Sequence, residues 1–463
     1  MGSDAGCSPL PGLQQTAPAD VLSLFLRLLP APFFVQARQQ AHLRQQNNRI
    51  YGDRVVIWLM ILQRLSGATL EAAVLELLRT RPPEFWPQPC KRLQARSEDS
   101  QMKLSSNTGS YNQARQELPL RIVEQSGDRA FLQLIEQFGR PATAKRGAFF
   151  VDGSTMRMPH SDSLRAEYPP ARNQHGESHW PLLRIIVAHD LYSGLAMRPE
   201  WGAANGDDAI SEQLLFEQAI DRLPTDCTVV GDANFGVFSI AYTTTQRRHP
   251  IVLRLTIQRA KALAKTTLPD GLDLRIRWQP SSHERRNHPA LPADAAVEGR
   301  LIARQVQPNN GATPFLLILF TTLNEDADSI IELYGYRWNI ETDLRSLKTT
   351  LRLDQLDSTT PNMVAKEIDV GMLAYNLVRA ITCVAAQQGD VQPRQFSFTR
   401  VRNVINAYAP MIAATTDQRQ AQQLFDDMMY YVHQAKLPRR RRKRSSYPRA
   451  VWLKPQTHAK RKP

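Results

Sequence analysis

The chain has 463 residues, 42% of them apolar and with a net charge of +14, so it can bury a core across two or three domains. No run approaches the roughly 18 apolar residues of a membrane span. The polar N-terminus lacks the basic start and apolar centre of a signal peptide, and the sequence reads as a soluble globular protein without a membrane partner. Four scattered cysteines, Cys7, Cys90, Cys227 and Cys383, have no metal-ligand spacing and argue for a reducing cytosol. The positive charge points to a polyanionic partner. Eleven of the fourteen excess charges fall in residues 439–463, which hold no Asp or Glu, so the first 438 residues carry only +3. This tail begins with Arg439, Arg440, Arg441, Arg442, Lys443 and Arg444, a run suited to sequence-independent, salt-sensitive contact with phosphates.

Residues 1–18 are expected to be disordered, and residues 19–140 to form a helical N-terminal domain. Residues 21–29 read as a helix stopped by Pro30, and residues 53–65 as an apolar helix closed by Ser66 and Gly67. A third helix covers residues 69–78, with Thr69 as its cap and Pro82 and Pro83 beyond it. A polar helix opened by residues 107–110 carries Tyr111, Asn112, Gln113, Arg115 and Gln116 and ends near Pro119. Two short helices about a Ser-Gly turn, with a polar helix after them, fit a helix-turn-helix-like DNA reader. A helical bundle without nucleic-acid contacts fits the pattern equally.

At Gly147 the period changes. Residues 148–152 form a short strand pattern ending in Asp152; residues 181–190 and 194–201 follow as strands, for a three-stranded antiparallel meander. Residues 207–223 read as a helix capped by Asp207, and residues 227–232 as an apolar strand ending in Asp232. A helix over residues 238–248 and a strand over residues 251–255 complete an α/β core spanning residues 147–255 and 324–352. Between them, residues 256–323 read as a β-rich insertion, with strands near 272–278, 299–306 and 313–323 and a polar loop over 281–292. Helices over residues 363–388 and 418–434 belong to a C-terminal helical region, residues 353–438, ahead of the basic tail. His189 and Asp190 read as a surface turn, and Asn234 as a residue that shapes its loop.

The stretch from Tyr334 to Lys348 reads as one helix with Tyr334, Arg337, Glu341 and Lys348 on a single stripe. A solvated helix face would show the same stripe. One carboxylate between two cations and a phenol also suits a metal and a phosphate bound side by side. Joined to Asp152 and Asp232, Glu341 makes a set of three acids of the kind that holds Mg²⁺ for phosphoryl transfer, with Arg337 and Lys348 as phosphate clamps.

The spacing Y-x2-R-x3-E-x6-K at Tyr334, Arg337, Glu341 and Lys348 resembles the YREK signature of DDE transposases of the insertion-sequence-4 (IS-4) family. The blocks around Asp152 (Val-Asp-Gly-Ser) and Asp232 (Val-Gly-Asp-Ala-Asn-Phe-Gly) resemble that family's first and second aspartate blocks. The resemblance implies an RNase H-like catalytic core with a β-rich insertion, preceded by helices and followed by helices and the tail. It implies catalysis by Asp152, Asp232 and Glu341 with two Mg²⁺ ions, or Mn²⁺ in their place. Tyr334, Arg337 and Lys348 are implied phosphate contacts, and Trp278, the insertion's single tryptophan, is the implied base-stacking residue. The implied reaction is nicking at transposon ends followed by strand transfer, by a homodimer on double-stranded DNA in the bacterial cytoplasm at the nucleoid. A metal-dependent nuclease with the same core and a non-catalytic DNA-binding regulator are the alternatives; the regulator predicts loss of an acid or a clamp residue, and none is lost.

Overall fold

A computed structural model describes residues 20–46, 49–80, 83–85, 105–140, 144, 146–174, 176–307 and 313–437; the side chains of Asn173 and of residues 338–341 are outside that description. The expected disordered segment 1–18 and the basic tail, including Arg439, Arg440, Arg441, Arg442, Lys443 and Arg444, also lie outside the described residues.

Local signals set the first helices. Helix α1 (Val21–Leu28) starts where the Asp20 carboxylate accepts from the Ser23 amide at 2.9 Å. Helix α2 (Ala31–Gln40) begins directly after Pro30, where only a stop was expected. A proline ahead of the first turn removes no helical hydrogen bond, so the same residue that ends one helix can open the next. Helix α3 (Asp53–Ser66) closes on Gly67, whose φ of 72° lies in the left-handed region that glycine adopts without strain. Helix α4 (Leu70–Thr80) is capped as expected, the Thr69 hydroxyl accepting from the Ala72 amide at 3.2 Å. Helices α5 (Gly109–Glu117) and α6 (Leu120–Phe138) follow.

The α/β part runs β1 (Ala148–Arg157), α7 (Asp162–Glu167), β2 (Pro170–Asn173), β3 (Gly176–Asp190), β4 (Glu200–Ala203), α8 (Glu212–Ile220), β5 (Thr228–Gly231), α9 (Phe238–Gln246) and β6 (Ile251–Arg254). It continues through α10 (Ile257–Ala264), β7 (Asp273–Trp278), α11 (Ser282–Asn287), β8 (Val297–Val306) and β9 (Phe315–Thr321). All nine strands join one sheet, in the order β2-β3-β1-β5-β6-β9-β8-β7, with β4 paired to β3. Strands β1, β3 and β4 pair antiparallel, as the meander reading expected, whereas β5 and β6 run parallel to β1. The inserted strands extend this same sheet, because β9 pairs antiparallel with β6. Helix α8 starts later than expected: Ser211 caps it by accepting from Leu214, and Asp207 sits in the preceding turn.

The sheet is buried on both faces, and its pleat sorts side chains between two cores. Phe149, Val151, Val229 and Leu253 enter the larger core, while Ala148, Phe150, Val230 and Val252 enter the smaller one. The smaller core is covered by helix α12 (Ala327–Gly335) through Ala327 and Ile330. Helix α13 (Arg337–Arg345) and a π-helical turn (Ser346–Thr350) come next.

Helix α14 (Pro361–Gln388) is the centre of the helical layer. It packs against α3 and α6 from the N-terminal region and against α15 (Phe398–Ala414) and α16 (Gln418–Gln434) from the C-terminal one. The sequence reading found no candidate membrane span, yet by length and composition α14 is long and apolar enough to cross a membrane. Its most apolar window is 94% buried within the protein, so the apolarity serves internal packing. Two of its buried charges are partnered: Lys366 donates to the carbonyls of Arg115 and Gln116 at 3.1 and 3.0 Å, and Glu367 pairs with Arg64 at 2.8 Å. Burial instead holds the carboxyl of Asp369, which has no hydrogen-bond partner among the described residues, well above its ordinary value.

Candidate active site

The pleat carries Asp152 to the smaller-core side of β1, one step beyond Val151 on the opposite side. Because Val151 pairs in parallel with Gly231, Asp152 and Asp232 are the next residues on adjacent strands. Asp152 does not end its own strand, contrary to expectation: β1 runs on to Arg157 in register with β3. It stands where the neighbouring β5 ends, and the β3 ladder keeps its backbone fixed.

The electrostatics of this pair are unbalanced. Burial pushes the Asp152 carboxyl up to about 6; the charges of Asp232 and Glu212 add to the rise, while the Gly153 amide and Arg337 oppose it. A carboxyl whose protonation is favoured by burial and by neighbouring carboxylates is relieved by a hard divalent cation, whose preferred ligands are such oxygens. Among the described residues no three acids, histidines or cysteines are gathered closely enough to enclose an ion.

Glu212, in the first turn of α8, is a site residue that sequence reasoning missed. Its carboxylate accepts from the Asn234 side chain at 2.6 Å, and the Asn234 amide donates to Asp232 at 2.9 Å. Asn234 therefore shapes the loop after Asp232, as expected. Gly153 makes room for this arrangement, since a Cβ there would lie 3.0 Å from the Glu212 carboxyl carbon. An acid in a first helical turn reads as ordinary capping chemistry, so no local signal separated it.

The third acid is carried by a helix that differs from its expected form. The stretch from Tyr334 to Lys348 is not one helix: it breaks at Tyr336 and passes into the π turn. The single stripe is lost. Tyr334 closes α12 and turns into the smaller core at 5% exposure. Burial raises its phenol to about 12, with Arg337 and Arg254 opposing the rise. Among the described residues its buried hydroxyl has no hydrogen-bond partner. Arg337 opens α13 with its charge acting on Asp152. Lys348 donates to the Ser154 hydroxyl at 2.9 Å and the Thr155 carbonyl at 3.0 Å, both on β1. Position 341 lies within α13, which packs beside β1; the Glu341 side chain is outside the description.

Other expected contacts are corrected. Trp278 is 2% exposed, wedged between Phe238 and Phe320 with ring centroids 6.0 and 4.9 Å away. It anchors the inserted strands to the core and cannot stack on a base in this conformation. On α5, Tyr111 is fully buried, its hydroxyl donating to Gln63 at 2.8 Å, and Arg115 reaches Glu367 at 3.5 Å. Their positions fit helix packing better than DNA reading; Asn112, Gln113 and Gln116 are the exposed ones. His189 and Asp190 are both fully buried rather than in a surface turn. Burial lowers His189 to about 4 and so keeps it neutral, and raises Asp190 to about 7 against two hydrogen bonds from Ser193. Cys227 and Cys383 are free and buried; Cys7 and Cys90 lie outside the described residues.

Comparison with known proteins bears on this geometry. Residues 143–377 match the family described as "Transposase DDE domain". The chain is similar to the transposase InsG for insertion sequence element IS4 of Escherichia coli (strain K12), with 24% identity over 310 residues, covering 66% of this chain and 67% of that protein. Among solved structures it is similar to a piggyBac transposase synaptic complex with hairpin DNA. That match has a TM-score of 0.40 and 12% identity, covering 88% of this chain and 85% of that one.

Proposed function

Because the chain belongs to the transposase DDE domain family, as a DNA transposase of the IS4 type, we propose that it binds the terminal inverted repeats of its element and catalyses metal-dependent cleavage and strand transfer. The observation that carries the reading is the placement of Asp152 and Asp232 on adjacent strands, their charges acting on one another beside the helix that bears position 341. The order β4-β3-β1-β5-β6, with β5 and β6 parallel to β1, supports an RNase H-like core.

Asp152, Asp232 and Glu341 are the residues that would hold Mg²⁺, and the mutual repulsion of the first two fits a divalent cation. When bound, such ions activate an attacking water or 3′-hydroxyl and stabilise the leaving oxygen. The chain's own residues orient the DNA. Arg337 supplies a planar fork for phosphate oxygens, and Lys348 exchanges its bonds to Ser154 and Thr155 for a phosphate. The Tyr334 hydroxyl is buried in the smaller core of the free protein, so it reaches a third oxygen only when DNA binding draws it out. A homodimer on two transposon ends completes the reading.

Asp232→Asn tests it: cleavage of end DNA in Mg²⁺ is expected to fall at least about a thousandfold, with end binding retained. Cleavage at the wild-type rate would remove Asp232 from the centre. Strand transfer of pre-cleaved ends by the wild-type protein separates a transposase from a nuclease with the same core. Deleting residues 439–463 removes eleven cations and is expected to flatten the dependence of DNA affinity on salt. An unchanged slope would place the tail off the DNA.

A further inference from the structure

Helix α13 is interrupted at both ends, by the break at Tyr336 and by the π turn, so its setting is not inherited from the helix before it. What holds it is a buried carboxylate two residues after Glu341. Asp343 is 1% exposed, and each of its oxygens takes a guanidinium from a different element: Oδ1 from Arg379 on α14, and Oδ2 from Arg394 in the short turn Pro393–Gln395. His189 on β3 has its Nδ1 4.0 Å from Oδ2. Arg394 also donates to the carbonyls of Asp190 and Leu191 at 2.6 and 3.1 Å, at the end of β3. Arg379 donates to the Tyr375 hydroxyl at 2.9 Å, which in turn donates to the Gly194 carbonyl at 2.8 Å. Asp190 pairs across the sheet with Phe149, three positions before Asp152 on β1.

We propose that Asp343, clamped by Arg379 and Arg394, is the positioning residue that sets Glu341 against Asp152 and Asp232. The proposal rests on the reading of Glu341 as a metal ligand. Successive positions turn about 100° on a helix, so position 343 lies about 200° round from position 341. The clamp therefore grips the side of the helix turned away from position 341. A buried ion group of this kind adds little net stability over apolar packing. What the two guanidinium forks add is direction, since they accept the carboxylate in one place only. Through Arg394 that place is referred to the end of β3, and through the β1–β3 ladder to Asp152.

The test compares Mn²⁺ binding by calorimetry, and end cleavage in Mg²⁺, for the wild type, Asp343→Glu and Arg394→Lys in the full chain. Asp343→Glu keeps the charge but lengthens the arm; Arg394→Lys keeps the charge but loses the fork. Both are expected to bind end DNA as the wild type does and to lose about 10- to 100-fold in Mn²⁺ affinity or cleavage rate. Folded variants with wild-type Mn²⁺ affinity and wild-type cleavage would overturn the proposal, because a merely structural clamp would shift thermal stability alone. If Asp343→Glu does not fold, Arg394→Lys decides on the same readouts. Wild-type protein that binds no Mn²⁺ would overturn the metal reading itself, and this proposal with it.

Discussion

Two carboxylates of this molecule are held by opposite means. Asp152 is placed by backbone: its strand is paired on both sides up to Val151 and on one side beyond, and its charge faces other acids. Asp343 is placed by side chains: it sits on an interrupted helix, wholly buried, with guanidiniums on both oxygens. Burial pushes both carboxyls up. At Asp152 nearby acids add to the rise, whereas at Asp343 the charges of Arg394 and Arg379 outweigh it and hold the group below its ordinary value. An acid whose charge is matched is part of the scaffold. An acid set among other acids on a rigid strand, with its protonation favoured, fits the cation site proposed above.

This contrast is testable through stability, and the signs are opposite. The larger effect is expected at Asp343. Asp343→Asn leaves two buried guanidiniums without their partner and is expected to destabilise the fold by about 3–5 kcal/mol in denaturant titration. A loss below about 1 kcal/mol would show that the clamp is dispensable to the fold. Because the Asp343 carboxyl is depressed in the folded state, its contribution is present above the unfolded value and is lost as pH falls through the folded one.

The smaller effect is expected at Asp152. Its carboxyl is raised from 3.8 to about 6, so its favourable linkage is complete below about pH 4 and is lost as pH rises through about 6. In metal-free protein near neutral pH, Asp152→Asn is therefore expected to stabilise by about 1–3 kcal/mol, with the gain vanishing below about pH 4. A destabilised Asp152→Asn protein at neutral pH would break the comparison, because the carboxylate would then be matched after all.

The two halves of this account were unequally legible in sequence. Asp232 at the end of a short apolar strand, α3 closing on Gly67 and α16 opening after Asp417 all follow from neighbours within a few residues. The clamp has no such signature, since Arg379 and Arg394 lie 36 and 51 residues beyond Asp343. Helical periodicity ran unbroken from Tyr334 to Lys348 because neither the break at Tyr336 nor the π turn changes the residue pattern, and this is why Tyr334 was assigned to an open stripe. Trp278 was the candidate as the insertion's single tryptophan, and alternation along β7 cannot say that its face meets Phe320. Glu212 went unseen because its partner Asn234 is 22 residues away.

The central claim is that position 341 completes the centre begun by Asp152 and Asp232. Its most direct test is the Mg²⁺-dependent cleavage of end DNA by Glu341→Gln, a change that keeps the shape of the side chain and removes its charge. The account predicts a loss of at least about a thousandfold, matching that of Asp232→Asn, with DNA binding unchanged. A Glu341→Gln protein that still cuts in Mg²⁺ at a rate near the wild type would contradict it.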